Sequence, residues 1–501
     1  MIPLSFAQRR LWFLHGLEGP AYNMPWTLRF RGDLDVDALR AALGDVVARH
    51  EALRTVFPER DGEPYQMVLS PDEAKPELEV LHPGEELPQA LDLAARYRFD
   101  LGGEPLVRAH LFVLGPRDHV LMLLMHHIVC DGWSFAPLSR DLMAAYEAHS
   151  LGDRPSFPEL PVQYVDYTLW QRDLLGDAGD PESLLSRQTA YWRDRLAGLP
   201  EHIPLPADRP RPAVASYDGE LVTSRWDGEL HEGLTRLARE TGTSLFMVLQ
   251  AGLAALLTRM GSGTDVPVGV PIAGRTDEAL DDLVGFFVNT LVLRTDTSGE
   301  PTFAELLARV RETALEAYAN QDVPFEHLVE VLNPARSAAY HPLFQVLLVV
   351  QNSPDDSLRL KDLELSPIVV PTGTARFDLM FSITHSSDPA VPGLTVGVEF
   401  STDLFDRSSV VVLVERLRRL LAGAVADPGR RLGLLPVLDP AERELLLGEW
   451  ISTGEGAASA SPGGSGVTVA GLLCEALSVG GDGPAVVGVG GELSFAELGA
   501  A

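Results

Sequence analysis

Met125-His126-His127-Ile128-Val129-Cys130-Asp131-Gly132-Trp133-Ser134 brings two imidazoles, a thiol and a carboxyl into one short stretch. Directly before it runs Val120-Leu121-Met122-Leu123-Leu124, an apolar run that reads as a buried strand. Side chains alternate along a strand, so a strand ending in His-His turns one ring inward and the other toward open space. Asp131-Gly132 is a turn signal that keeps a carboxylate near both rings. The pattern predicts one exposed, braced imidazole at a strand end, suited to moving or holding a proton. Cys130 offers a rival, a thiol nucleophile served by His127 and Asp131. Nucleophile and base normally converge from separate segments, and such a thiol needs an activating setting, which counts against it. No metal site is expected, because the two histidines point apart and no Cys-x-x-Cys or His-x-x-x-His cluster adds ligands.

Helical patterns alternate with apolar runs around this stretch, the reading for a mixed α and β chain. Asp35 caps a helix whose Val36, Leu39, Leu43, Val46 and Val47 recur at helical spacing. Ser244 opens an apolar helix that runs through Leu257, while Val266–Ile272 and Phe344–Val350 read as strands. Proline-bearing breaks fall at 151–161 and 204–212. Asp439 and Pro440 open a short amphipathic helix, and the Gly-, Ser- and Ala-rich stretch 454–466 reads as linker.

With 501 residues the chain is long enough for about three compact units. Its net charge of −31, from 40 basic and 71 acidic residues, provides no basic track for nucleic-acid phosphates and disfavours an anionic surface as partner. No run reaches the roughly 18 apolar residues of a membrane span, and the N-terminus lacks the regions of a signal peptide. Two distant cysteines, Cys130 and Cys474, imply no disulfide framework, and a cytoplasmic setting fits.

The His-His-x-x-x-Asp-Gly motif at 126–132 resembles that of the condensation domains of non-ribosomal peptide synthetases. Other stretches resemble the same family, in its order. They are Leu4-Ser5-Phe6-Ala7-Gln8-Arg9-Arg10-Leu11-Trp12-Phe13-Leu14, then Arg49-His50-Glu51-Ala52-Leu53-Arg54-Thr55-Val56-Phe57, then Tyr164 to Trp170. Val284-Gly285-Phe286-Phe287-Val288-Asn289-Thr290-Leu291, Asn320 to Glu326 and, more loosely, Arg336 through Leu343 complete the set. The resemblance covers roughly residues 1–440, and the wording looks most like the subtype joining an L-configured donor to an L-configured acceptor.

The resemblance implies an α/β (α+β) fold of two chloramphenicol-acetyltransferase-like lobes, a V-shaped pseudo-dimer with a central substrate tunnel. Residues 1–175 would form the N-terminal lobe, 176–435 the C-terminal lobe and 436–466 a linker. Residues 467–501 look like the truncated edge of an adenylation domain, without the phosphate loop that adenylation needs. Upstream donor and downstream acceptor peptidyl carrier proteins would deliver thioesters on 4'-phosphopantetheine arms, and the acceptor's α-amine would attack the donor's carbonyl. The domain itself would bind no cofactor; its partners would be these carriers and the adjoining adenylation domain.

His127 is the residue that the motif marks as catalytic, as proton acceptor, as a partner that orients the amine, or as a stabiliser of the tetrahedral intermediate. His126 would serve structure, and Asp131 would pair with a distant arginine, for which Arg275 is the candidate. Gly132 would permit a special backbone conformation or a close approach of the arm. Arg54, Trp133, Ser134, Phe287 and Asn289 are candidates for the tunnel or lobe junction; for Arg54 a solvated or salt-bridged arginine is the competing reading. An epimerisation domain and a non-catalytic carrier-docking domain remain the alternatives.

Overall fold

The computed structural model describes residues 1–18, 22–335, 337–351, 359–360, 363–386, 392–449, 484–488 and 491–494. Residues 1–437 form one compact unit and 438–501 a second. Arg336, Cys474 and the linker at 454–466 lie outside the described residues.

The first unit is built on two six-stranded sheets. In the first the order is Arg359–Leu360, Leu363–Pro367, Asn23–Gly32, Asp118–His126, Val107–Gly115 and Leu78–Leu81. In the second it is Asn289–Asp296, Asp265–Ile272, Val346–Gln351, Leu379–His385, Gly393–Ser401 and Gly219–Asp227. Leu363–Pro367 comes from late in the chain yet pairs with Asn23–Gly32, and Arg359–Leu360 pairs with it in turn, so the chain crosses back to complete the first sheet. No local sequence signal marks that crossing, because pairing of distant strands is a tertiary choice.

The strand Asp118–His126 lies inside the first sheet and is buried on both faces, which explains its unbroken apolar run. Leu121, Leu123 and Met125 enter the main core of this region, whereas Val120 and Met122 pack with Leu91, Ala95 and Phe112 on the other face. The predicted helix after Asp35 spans Val36–Arg49, and Asp35 Oδ1 accepts from the N–H groups of Asp37 and Ala38 at 3.0 and 2.9 Å. Ser244 caps the buried helix Leu245–Arg259. Among the described residues no single helix is long and apolar enough to cross a membrane.

In the second unit Asp439 caps the short helix Pro440–Glu444. Strands Pro484–Gly488 and Gly491–Ser494 pair antiparallel.

Candidate active site

The strand carrying the double histidine ends at His126, and His127–Val129 turns into a 3-10 segment in which Cys130 N–H donates to His127 O at 3.3 Å. His126 keeps the extended backbone of the strand, with φ −85° and ψ 139°, and the chain leaves the strand only at His127. His126 is wholly buried, with its Nδ1 accepting from Ile128 N–H at 3.2 Å and its ring edge-on to His15 at 5.0 Å. Burial, reinforced by the neighbouring His15 and His127, holds its pKa well below the usual range. It is a neutral packing group.

His127 is partly buried, with its ring edge-on to Phe286 at 4.8 Å. Its Nδ1 lies 2.8 Å from Cys130 O. A carbonyl only accepts, so Nδ1 carries the proton and Nε2 is the ring's acceptor. Burial first, then the positive charge of Arg376, pushes the pKa down to about 3. At neutral pH this is an uncharged, weakly basic imidazole of fixed tautomer.

Asp131 is fully buried and holds the loop rather than facing outward. Its Oδ1 accepts from Ser134 N–H at 2.9 Å and from Ser134 Oγ at 2.8 Å, and its Oδ2 accepts from Phe287 N–H at 2.9 Å. The predicted arginine partner is there: Arg275 Nη2 stands 3.5 Å from Oδ1, and the two side chains are 6% and 0% exposed. The same nitrogen donates to Ser134 Oγ at 3.0 Å, Nη1 reaches the carbonyls of Leu280 and Leu283, and the guanidinium stacks over the Phe287 ring at 4.2 Å. The carboxylate is thus paired and hydrogen-bonded, the condition under which a buried charge is tolerated.

Ser134 is more central than its sequence neighbours suggest. Its hydroxyl also lies 2.9 Å from Gly285 O and 3.1 Å from Gly285 N, so it ties the motif loop to a segment 151 residues away. Phe287 is buried against Tyr164 and Tyr167 at 5.0 and 4.7 Å between ring centres. Tyr164 Oη donates to Phe286 O at 2.6 Å and meets Ser5 Oγ at 2.9 Å. A Cβ on Gly285 would come within 2.2 Å of the Tyr164 ring, which explains the glycine there.

Other candidates serve local architecture. Asn289 donates to the carbonyls of Gln321 and Val323 at 2.9 and 2.7 Å and accepts from Phe325 N–H at 3.0 Å, pinning the 321–325 loop. Arg54 bonds Leu69 O at 2.6 Å and Glu51 at 3.1 Å, so its fork is engaged within its own region. Trp133 is partly buried, and Gly132 is exposed. The conformational half of the Gly132 expectation fails: its φ is not positive, and a Cβ there would meet nothing within 4 Å.

Cys130 is fully buried, and burial, with Asp131 adding to it, pushes its thiol well above its usual pKa. A thiol held protonated is no nucleophile. Among the described residues no group of three or more His, Cys, Asp and Glu side chains is placed to hold a metal ion.

Sequence reasoning missed Arg376 and Glu399, and it placed His341 in the loose motif at 336–343 without giving it a role. Arg10 Nη2 lies 3.0 Å from His341 Nε2 and Nη1 3.3 Å from Glu326, linking the first helix, Phe6–Glu18, to the second half of the unit. Nothing in local periodicity marks these contacts, because Arg10 meets residues 316 and 331 positions away.

Residues 1–447 match the family model of the condensation domain. The chain is 58% identical over 456 residues to a probable nonribosomal peptide synthetase of Salinispora arenicola, covering 90% of this chain and 6% of that protein. It is 54% identical over 459 residues to a dimodular nonribosomal peptide synthase of Bacillus subtilis, covering 91% and 19%. The chain therefore spans under a fifth of the length of either relative. The crystal structure of the X-domain from teicoplanin biosynthesis superposes with a TM-score of 0.80 at 35% identity, over 87% of this chain and 98% of that one. The motif order, the paired sheets and this match over most of the chain agree: it belongs to the condensation-domain family, the amide-forming acyl transferases of non-ribosomal peptide synthetases.

Proposed function

We propose that this chain joins a donor aminoacyl or peptidyl thioester to the α-amine of an acceptor aminoacyl thioester, both presented on phosphopantetheine arms of carrier proteins, with His127 at the reacting centre. The observation that carries this reading is the fixed tautomer of His127. Its Nδ1–H is committed to Cys130 O at 2.8 Å, which leaves Nε2 as an acceptor for an N–H of the attacking amine.

With its pKa near 3, His127 is a poor reservoir for a full proton but a sound hydrogen-bond acceptor. It orients the free amine and steadies the N–H as positive charge develops on nitrogen. A thioester is already activated, so no enzyme nucleophile is needed, and holding two arms end to end supplies much of the rate. Asp131, Arg275 and Ser134 act behind His127 by holding its loop against the Gly285–Phe287 segment. Gly132, with open space where a Cβ would stand, leaves room for an arm. Intact motif residues at 126, 127, 131 and 132 and the wording of the opening motif support the L-donor, L-acceptor subtype. An adjoining adenylation domain and a cytoplasmic setting complete the proposal.

The test is single-turnover amide formation between a loaded donor carrier and a loaded acceptor carrier, read by intact mass on the acceptor arm. Wild type forms product, and a folded His127→Val variant slows on the order of 10²-fold or more. Absence of product from wild type with several substrate pairs, despite carrier binding, overturns the reading.

A further inference from the structure

Arg376 lies three residues before the strand Leu379–His385, at the end of the segment that returns from the first sheet to the second. Its Cζ stands 5.0 Å from the ring centre of Tyr22 and 6.0 Å from that of Phe377. Tyr22 is buried, and its ring is 6.3 Å from that of His126, so one aromatic ring separates the guanidinium from the first histidine although it comes from the other sheet's entry. Its charge acts on His127 more strongly than that of Arg10 does, and it also reaches His341 and Glu399.

Arg275, by contrast, is tied to Asp131, Ser134 and two carbonyls. Among the described residues no hydrogen bond or ion pair holds the Arg376 guanidinium. Glu399 responds to its charge without forming an ion pair, and burial lifts that carboxyl to about 7, so it offsets the cation only in part. A partly buried arginine with a fork of unbonded N–H groups is held by two aromatic faces and left with donors to spare.

The chemistry has a matching gap. When the amine attacks the thioester, the carbonyl π pair moves to oxygen and an alkoxide forms. His127 has given its one N–H to Cys130 O, so it offers the alkoxide no hydrogen. The Asp131 carboxyl is turned into the core and taken up by Ser134, Phe287 and Arg275. A donor aimed at developing negative charge is commonly the largest single contribution in acyl transfer.

We propose that Arg376 is a further catalytic residue, whose guanidinium donates N–H bonds to the oxyanion formed on the donor carbonyl during amine attack. This rests on the amide-forming reading above. The N–C bond forms as the alkoxide settles on Arg376; the pair then returns, the C–S bond breaks and the donor arm leaves as thiolate. The proton shed by the acceptor nitrogen passes to that thiolate. Arg376 keeps all its protons throughout.

The experiment compares wild type, Arg376→Met, Arg376→Lys and Arg376→Ala in single-turnover amide formation at saturating loaded carriers, with folding checked by circular dichroism and carrier affinity measured separately. The expected result is a loss of roughly 10²–10³-fold in Arg376→Met with unchanged carrier affinity. Arg376→Lys retains part of the rate. Low-millimolar methylguanidinium restores at least about tenfold in Arg376→Ala and nothing in His127→Val. A rate in Arg376→Met within threefold of wild type overturns the proposal. So does a loss in the folded variants that appears only as weaker carrier binding and that neither lysine nor methylguanidinium repairs. Should Arg376→Met fail to fold, Arg376→Lys and the rescued alanine variant decide alone. Failure of wild type to form any amide would instead overturn the proposed function.

Discussion

Phe287 donates its backbone N–H to Asp131 Oδ2 across 2.9 Å, joining segments 156 residues apart, while the Phe287 ring carries the guanidinium of Arg275 at 4.2 Å. The motif carboxylate is therefore satisfied by the backbone of one residue and the cation stacked on that residue's ring. This arrangement sets the orientation of the loop on which His127 is held, and it separates residues that act on substrate from residues that hold them.

Asp131→Ala is expected to unfold the first unit more readily by about 3–5 kcal/mol, because it leaves Arg275 buried without its counter-charge. Urea denaturation measures it. Asp131→Ala combined with Arg275→Met should recover part of the loss. A destabilisation under 1 kcal/mol would mean that the pair is not buried in solution as described.

Ser134→Ala removes the hydroxyl shared by Asp131, Gly285 and Arg275. It should cost about 2–3 kcal/mol through polar groups left without partners. Amide formation per folded molecule should fall less than in His127→Val. Equal losses in the two variants at full folding would give Ser134 a direct role.

The rate of amide formation should show no acid limb near pH 6.5 from His127, since that ring stays neutral down to about pH 3. It should instead rise with pH through the titration of the acceptor's own amine, around 7.7–8.0 for an α-amino group. An acid limb near 6.5 that vanishes in His127→Val would contradict the buried, neutral imidazole.

Glu399 carries a carboxyl raised from 4.5 to about 7, first by burial. The fold favours its protonated form, so stability is full below about pH 4.5, declines as pH rises toward 7 and is at its lower level above that. Glu399→Gln removes the charge, and should gain about 2 kcal/mol over wild type at pH 8.5 after allowance for its partial exposure. At pH 4.5 the two should unfold alike. Chemical denaturation at both pH values decides it.

His50, His126, His127 and His341 all have pKa values lowered first by burial. Below pH 6.5 the unfolded chain binds protons that the folded one refuses, so stability falls as pH falls. Each such histidine contributes up to about 1.4 kcal/mol per pH unit. A stability that is flat between pH 6.5 and 5.5 would be incompatible with four buried neutral rings.

Local patterns alone identified much of this molecule. The apolar run at 120–124, the Asp35 cap, the Ser244 helix and the strand at 266–272 all follow from periodicity and capping chemistry, which depend on near neighbours. The motif order was equally legible, and with it the family and the pairing of Asp131 with Arg275. Tertiary structure decided what near neighbours cannot. It ended the strand at His126 and put His127 on a turn, because the 3-10 bond to His127 O replaces the next ladder bond. It engaged Arg54 locally and left Gly132 in open space. It carried residues 359–360 and 363–367 back to the first sheet and set Arg376 over Tyr22. Burial, charge balance and the meeting of distant strands are properties of the folded unit, and no window of sequence contains them.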